Sequence, residues 1–228
     1  MYTEVSDEIR VNNRKLCEFV AKAFDEKENL RALIIDEKSE LTARYLINHC
    51  NMRANNICSV NIHSTVIQKM KENGLGTIIV HGNFNEWSLF INRKLESPHV
   101  IFADFTGRFE GNFKKCYYPG KDVFEELKYN KNNHIVFALT VSCRNQERFK
   151  QNQNEESVAE SNIYIIEQGI LIETQWRIIN RWYTTYVING PMFFIIYELV
   201  KDATIDPTEA EYIIFNKRHV GFPRGYSS

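Results

Sequence analysis

The clearest pattern in the sequence is a series of short apolar runs separated by segments with helical spacing. Each run is almost continuously apolar, which is typical of parallel strands that are covered on both faces. Five such runs predict strands: Leu30–Asp36, Asn56–Asn61, Gly76–Gly82, His99–Asp104 and His134–Val141.

The segments between these runs predict helices. Ser39 is a candidate cap for a helix in which Leu41, Tyr45 and Leu46 recur at helical spacing, and Gly74 closes a helix over His63–Asn73. Further helices are predicted at 6–25, Glu86–Leu95 and Asp122–Tyr129. Alternation of strands and helices predicts an α/β fold, a doubly wound, mostly parallel sheet with helices on both faces.

The last third of the chain has a different pattern. Glu173–Val187 is aromatic and β-branched, Asn189-Gly190-Pro191 predicts a turn, and Met192–Val200 is apolar again. Together with the five parallel runs this predicts about seven strands, ending in an antiparallel hairpin. The polar stretch Arg144–Glu156 predicts an exposed loop.

We expect three parts along the chain: an N-terminal helical extension (1–28), the α/β domain (29–200) and a C-terminal tail (201–228) that contains one more β-like run, Tyr212–Phe215.

Composition excludes several classes of protein. The chain has 228 residues, 43% hydrophobic residues and a net charge of −1, which excludes a disordered or a polybasic protein. The five cysteines form no CxxC pair, and the six histidines show no metal-ligand spacing, so no metal is expected. The acidic N-terminus and the short apolar stretches favour a cytoplasmic protein without a membrane segment.

The order of the predicted elements resembles the class I S-adenosylmethionine-dependent methyltransferases over roughly residues 28–200. Three segments match in position: Asp36-Glu37 after the first strand, His81-Gly82-Asn83-Phe84 after the third, and Asp104-Phe105-Thr106-Gly107 after the fourth. The last resembles the Asp-Pro-Phe-Gly and Asp-Pro-Pro-Tyr motifs of enzymes that methylate exocyclic amines, although the proline is missing.

This resemblance implies S-adenosylmethionine as the cofactor and a set of site residues. The implied cofactor-binding residues are Asp36, Glu37, Asn61, Gly82 and Asn83. The implied catalytic residues are Asp104, Phe105 and Thr106. The alternative for Asp36 is a charge at a helix N-terminus, and the alternative for Asp104 is a cap or turn residue.

Two positions depart from the family pattern. The glycine-rich loop that lets the backbone approach the cofactor is absent, because the first strand is followed by Asp36-Glu37-Lys38-Ser39-Glu40. The second strand ends in Asn61 instead of the acid that binds the ribose hydroxyls.

Basic residues after the fifth strand indicate nucleic acid as a candidate partner. Arg144, Arg148 and Lys150 could bind phosphates, as could Lys114-Lys115 beside Tyr117-Tyr118. A solvated loop is the alternative, because Glu147 and Glu155-Glu156 lie close by in sequence.

The sequence therefore predicts a methyltransferase that acts on an amine or hydroxyl, with a nucleic-acid base among the candidate acceptors. A catalytically inactive binding or assembly module is the alternative. A binder of another nucleotide is a third hypothesis, which the lack of a phosphate-binding loop disfavours. The oligomeric state is not predicted.

Overall fold

The computed structural model describes residues 7–84, 96–105, 119–142, 155–187 and 191–202. Within these ranges the helices are α1 (Asp7–Ala23), α2 (Leu41–Cys50), α3 (Ser64–Asn73), α4 (Pro119–Tyr129) and α5 (Glu155–Glu173), with a 3₁₀ turn at Ala54–Asn56. The strands are β1 (Ala32–Ile35), β2 (Ile57–Asn61), β3 (Ile78–His81), β4 (Val100–Asp104), β5 (His134–Ser142), β6 (Trp176–Val187) and β7 (Pro191–Lys201).

The described strands form one seven-stranded sheet in the order β3-β2-β1-β4-β5-β7-β6. Strands β1 to β5 are parallel, and β7 pairs antiparallel with both β5 and β6. The predicted fold class is therefore confirmed, including the C-terminal hairpin. The predicted turn residues 189 and 190 lie outside the described residues.

Two apolar layers cover the sheet, one on each face. On one face α1 and α2 pack through Leu16, Val20 and Leu46 against β-strand residues such as Ile34 and Phe102. On the other face α4 and α5 pack through residues that include Phe124, Leu127, Ile163, Ile166 and Ile170. Helices on both faces explain why β1, β2, β4 and β5 are largely buried and apolar instead of alternating.

Helices α4 and α5 approach each other closely at one glycine. A Cβ atom on Gly169 of α5 would lie 1.9 Å from the ring of Phe124 on α4. Gly169 therefore has a steric role, since any side chain there would displace a buried aromatic ring.

Within the described residues the predicted elements agree with the structure except in three places. The strand predicted at Gly76–Gly82 is not covered on both faces, because β3 is an edge strand of the described sheet and its Ile78 is 41% exposed. Ser39 does not cap α2, because its hydroxyl donates to Glu37 Oε1 over 2.6 Å and the N-cap residue is Glu40. The exposed loop predicted to run to Glu156 overlaps α5, a helix that the sequence pattern left unassigned. The helix predicted at 86–95 lies outside the described residues.

No helix in the described part of the chain is long and apolar enough to cross a membrane.

Candidate functional site

Polar side chains form one row across the carboxyl ends of the parallel strands. Asn61 is paired in register with His81, and Asp104 with Thr140. Because Ile35 pairs with Val60 and Ile34 with Phe102, continuing the register places Asp36 level with both Asn61 and Asp104.

The members of this row also share a face of the sheet. Successive residues of a strand point to opposite faces, and the residues two positions before Asp36, Asp104 and Thr140 all belong to the layer under α1 and α2. We call Asn61, Asp36, Asp104 and Thr140 the polar row. In an open α/β sheet, ligands bind at this edge, near the point where the strand order reverses, which here is between β1 and β4.

The carboxylate of Asp36 is buried and is hydrogen-bonded to the backbone. Its side chain is 4% exposed, and its two oxygens accept hydrogen bonds from the backbone N–H groups of Glu37, at 2.9 Å, and Ala43, at 3.0 Å. Burial raises the pKa of Asp36 to about 7, and the two backbone hydrogen bonds oppose that rise. Asp36 therefore holds the N-terminal turn of α2, which agrees with the helix N-terminal alternative.

Asn61 bridges the ends of β1 and β2. Its Nδ2 donates to the carbonyl oxygen of Asp36 over 2.8 Å, and its Oδ1 accepts from the N–H of His63 over 2.8 Å. A carboxylate at this position could not donate to a carbonyl. The departure from the acidic residue of the family pattern thus has a structural reason.

Asp104 differs from Asp36 because its carboxyl group is exposed to solvent. The surrounding chain nevertheless crowds it, and this desolvation raises its pKa to about 6. The neighbouring Thr140 hydroxyl opposes this rise in the pKa, whereas the negative charge of Glu37 adds to it. Glu37 is also exposed, and its charge is close enough to Asp104 to contribute to the raised pKa.

The remaining predicted site residues lie in different surroundings. Phe105 is half-buried on the opposite face, where its ring makes an edge-on contact with Phe84 at 6.0 Å. The Gly82 N–H donates to the carbonyl of Asn61 over 3.1 Å, and Asn83 is exposed. Thr106, the basic residues Arg144, Arg148 and Lys150, and Lys114-Lys115 lie outside the described residues.

Sequence reasoning missed Thr140. It is the one hydroxyl-bearing residue in the apolar run His134–Val141, and a single polar residue in a buried strand was a usable signal. No group of His, Cys, Asp or Glu within the described ranges could hold a metal ion.

Several solved structures have a fold similar to that of this chain. An rRNA methylase from Streptococcus thermophilus has a TM-score of 0.54 at 11% identity, over 87% of this chain and 99% of that one. An O-methyltransferase from Bacillus cereus, in complex with SAH, has a TM-score of 0.51 at 15% identity, over 88% and 94% of the two chains. The Methanococcus jannaschii fibrillarin pre-rRNA processing protein has a TM-score of 0.52 at 9% identity, over 77% and 69%.

The chain has the class I methyltransferase fold. No protein-family model matches the sequence, and a search of the curated proteins finds no relative. At 9–15% identity, the similarity to these structures is one of fold alone.

Within this methyltransferase fold, a buried glutamate occupies the loop that lacks glycines. Glu40 is 0% exposed and adopts a left-handed backbone conformation with φ of 50°. Its carboxylate accepts from Asn73 Nδ2 at 3.1 Å and from the Thr77 hydroxyl at 3.0 Å. These contacts stabilise a left-handed conformation that non-glycine residues rarely adopt. The loop therefore keeps this conformation through side-chain hydrogen bonds and does not need a glycine.

Proposed function

We propose that the chain is an S-adenosylmethionine-dependent methyltransferase that acts on an amine or hydroxyl acceptor. The observation that carries this proposal is the exposed carboxylate of Asp104, which lies at the carboxyl edge of a class I methyltransferase fold beside the strand-order reversal. Ligands bind at this position in open α/β sheets.

The negative charge of the residues at this edge is complementary to the positive charge of the cofactor. S-adenosylmethionine supplies a methyl group on a positively charged sulfur and also carries an ammonium group. Glu37 and Asp104 are exposed carboxylates whose mutual repulsion contributes to the raised pKa of Asp104, and a cation between them would relieve it. We therefore assign cofactor contacts to Glu37, Gly82 and Asn83.

Asp36 and Asn61 have a different part in this proposal. Both lie in the polar row, but their polar groups are bonded to the backbone of Glu37, Ala43 and His63 and to the carbonyl of Asp36 itself. They hold the ends of β1 and β2 so that Glu37 and Gly82 keep a fixed position.

Asp104 would receive or orient the proton of the acceptor. With a pKa of about 6 its carboxylate is mostly ionised at neutral pH and still basic enough to accept a proton. Alignment of the acceptor with the methyl group supplies most of the remaining acceleration, which is worth about 7–11 kcal/mol in well-oriented reactions.

A nucleic-acid base is our leading candidate for the acceptor. Two of the similar structures are named as an rRNA methylase and a pre-rRNA processing protein. Arg144, Arg148 and Lys150 directly follow β5 in sequence and would supply cations for a phosphate backbone.

Calorimetry with S-adenosylmethionine and its demethylated product tests the cofactor assignment. We expect binding that weakens in Glu37→Gln and is unchanged in Glu26→Gln, a matched exposed glutamate between α1 and β1. Absence of binding at millimolar ligand would contradict the proposal. Transfer of a labelled methyl group to RNA but not to protein would support the nucleic-acid acceptor, and transfer to protein alone would exclude it.

An inactive binding module is the second candidate, and the loop packed around Glu40 favours it. Its side-chain hydrogen bonds to Asn73 and Thr77 replace the glycines that would bring the backbone close to a cofactor. This candidate predicts that Asp104→Ala leaves the function of the protein unchanged. Loss of a measured methyl transfer in that variant would rule it out.

A further inference from the structure

Thr140 is held directly beside Asp104 by the backbone of two neighbouring strands. The two residues are partners in the parallel pairing of β4 and β5, and the N–H of Phe105 donates to the carbonyl of Thr140 over 3.0 Å. Both side chains therefore point to the same face at the same level of the sheet.

The Thr140 side chain has little freedom in this position. It is 2% exposed, and a β-branched side chain in a strand has few rotamers. Its hydroxyl lies on the same face as its register partner Asp104 and opposes the rise in the pKa of that carboxyl group, as a donor to the ionised carboxylate would. A hydrogen bond from a fixed donor restricts the rotation of a carboxylate that is otherwise open to solvent.

We infer that Thr140 is a positioning residue for methyl transfer, whose hydroxyl fixes the orientation of the Asp104 carboxylate towards the acceptor. This inference rests on the proposed function, because it gives Asp104 the role described above. It adds a residue from β5 to a site that sequence matching had placed on β1 to β4.

A purely structural role is the alternative, since a buried hydroxyl needs a hydrogen-bond partner wherever it lies. The two roles predict different pH behaviour. If the hydroxyl only satisfied its own hydrogen-bonding need on another acceptor, its removal would change stability and leave the titration of Asp104 unaltered. If it positions the ionised carboxylate, its removal raises the pKa of Asp104 and slows transfer most at low pH.

Thr140→Val is the informative variant because it keeps the shape and removes the donor, while Thr140→Ser restores the donor. Thr174→Val is the matched control, since Thr174 is 3% exposed and its hydroxyl donates to the carbonyl of Ile170. Thr174 precedes β6, whose first residue Trp176 pairs with Lys201, seven residues along β7 from the partner of Thr140. If Thr140→Val does not fold, Thr140→Ala removes the same hydroxyl and gives the same comparison.

The first readout is the titration of the Asp104 carboxyl carbon by NMR, assigned through its loss in Asp104→Asn. We expect a higher pKa of Asp104 in Thr140→Val, and the native value in Thr140→Ser and Thr174→Val. An unchanged titration in Thr140→Val would overturn the inference. This measurement does not require activity, so it separates failure of the inference from failure of the proposed function.

The second readout is the rate of methyl transfer across pH. We expect Thr140→Val to lower kcat about tenfold at pH 6 and about threefold at pH 8, because a base with a higher pKa is less ionised at low pH. The affinity for S-adenosylmethionine should remain within about twofold of native. An equal loss at both pH values, or a native rate, would contradict the inference.

Discussion

At the end of β1, the carboxylate of Asp36 is buried and accepts two backbone hydrogen bonds, whereas at the end of β4 Asp104 is an exposed residue beside Thr140. The two aspartates lie level in the register, on the same face of the sheet. Their difference shows that position in the fold is not enough to assign a role, because the first carboxylate is buried and bonded to the backbone and the second belongs to an exposed residue.

The largest expected effect is the loss of catalysis in Asp104→Asn. The amide cannot accept the proton of the acceptor, so we expect a fall in kcat of about 10²–10⁴-fold. The melting temperature at neutral pH should not fall, because the amide replaces a carboxylate whose ionisation is opposed by desolvation in the folded state. Steady-state rates together with the melting temperature check both statements, and a variant with native activity would remove Asp104 from the mechanism.

The second effect concerns the pH dependence of stability and belongs to Asp36. Burial raises its pKa from the ordinary value of 3.8 to about 7, so the folded state binds more protons than the unfolded state between these values. Stability should therefore fall as pH rises from about 4 to about 7, by up to roughly 1.4 kcal/mol per pH unit, and stay level above pH 7.

Urea unfolding of the native protein and Asp36→Asn between pH 4 and 8 checks this expectation. The difference between the two proteins isolates Asp36, because Asp104, whose pKa is also raised, and His99, whose pKa is lowered by burial, contribute equally to both. A difference that does not vary with pH would show that Asp36 titrates normally.

A third, smaller effect is the loss of the hydrogen bonds that Asp36 accepts. At pH 5, where the carboxyl is largely neutral, Asp36→Ala should lower the free energy of unfolding by about 2–3 kcal/mol, because the N–H groups of Glu37 and Ala43 lose their acceptors. Glu37→Ala, at the exposed neighbouring position, is the control and should stay within about 0.5 kcal/mol of native. Equal effects in the two variants would contradict the structural role of Asp36.

The smallest effect is expected for Asn61→Asp, which restores the acidic residue of the family pattern. The new carboxylate cannot donate to the carbonyl of Asp36 and faces it at about hydrogen-bond distance, so we expect a loss of about 1–2 kcal/mol in stability at pH 8. Urea unfolding measures the loss. A more stable variant with tighter binding of S-adenosylmethionine would instead assign position 61 to the cofactor.

Part of this site could be predicted from the sequence alone. Asp36, Asn61 and Asp104 each end an apolar run, and parallel strands bring such residues to one edge. The missed helix α5 also carried a signal, because Ala159, Ile163, Ile166 and Ile170 recur at helical spacing in a segment rich in β-branched residues.

The sequence by itself determined the strand and helix order, the hairpin and the edge where polar residues gather, because hydrophobic periodicity is a local property of the chain. Only the tertiary structure decided which carboxylate is buried and which is exposed, that Glu40 replaces the glycines of the loop, and that Thr140 lies beside Asp104. These outcomes depend on hydrogen bonds between residues 7 to 37 positions apart, and the register that brings such partners together is set by the packing of the whole sheet.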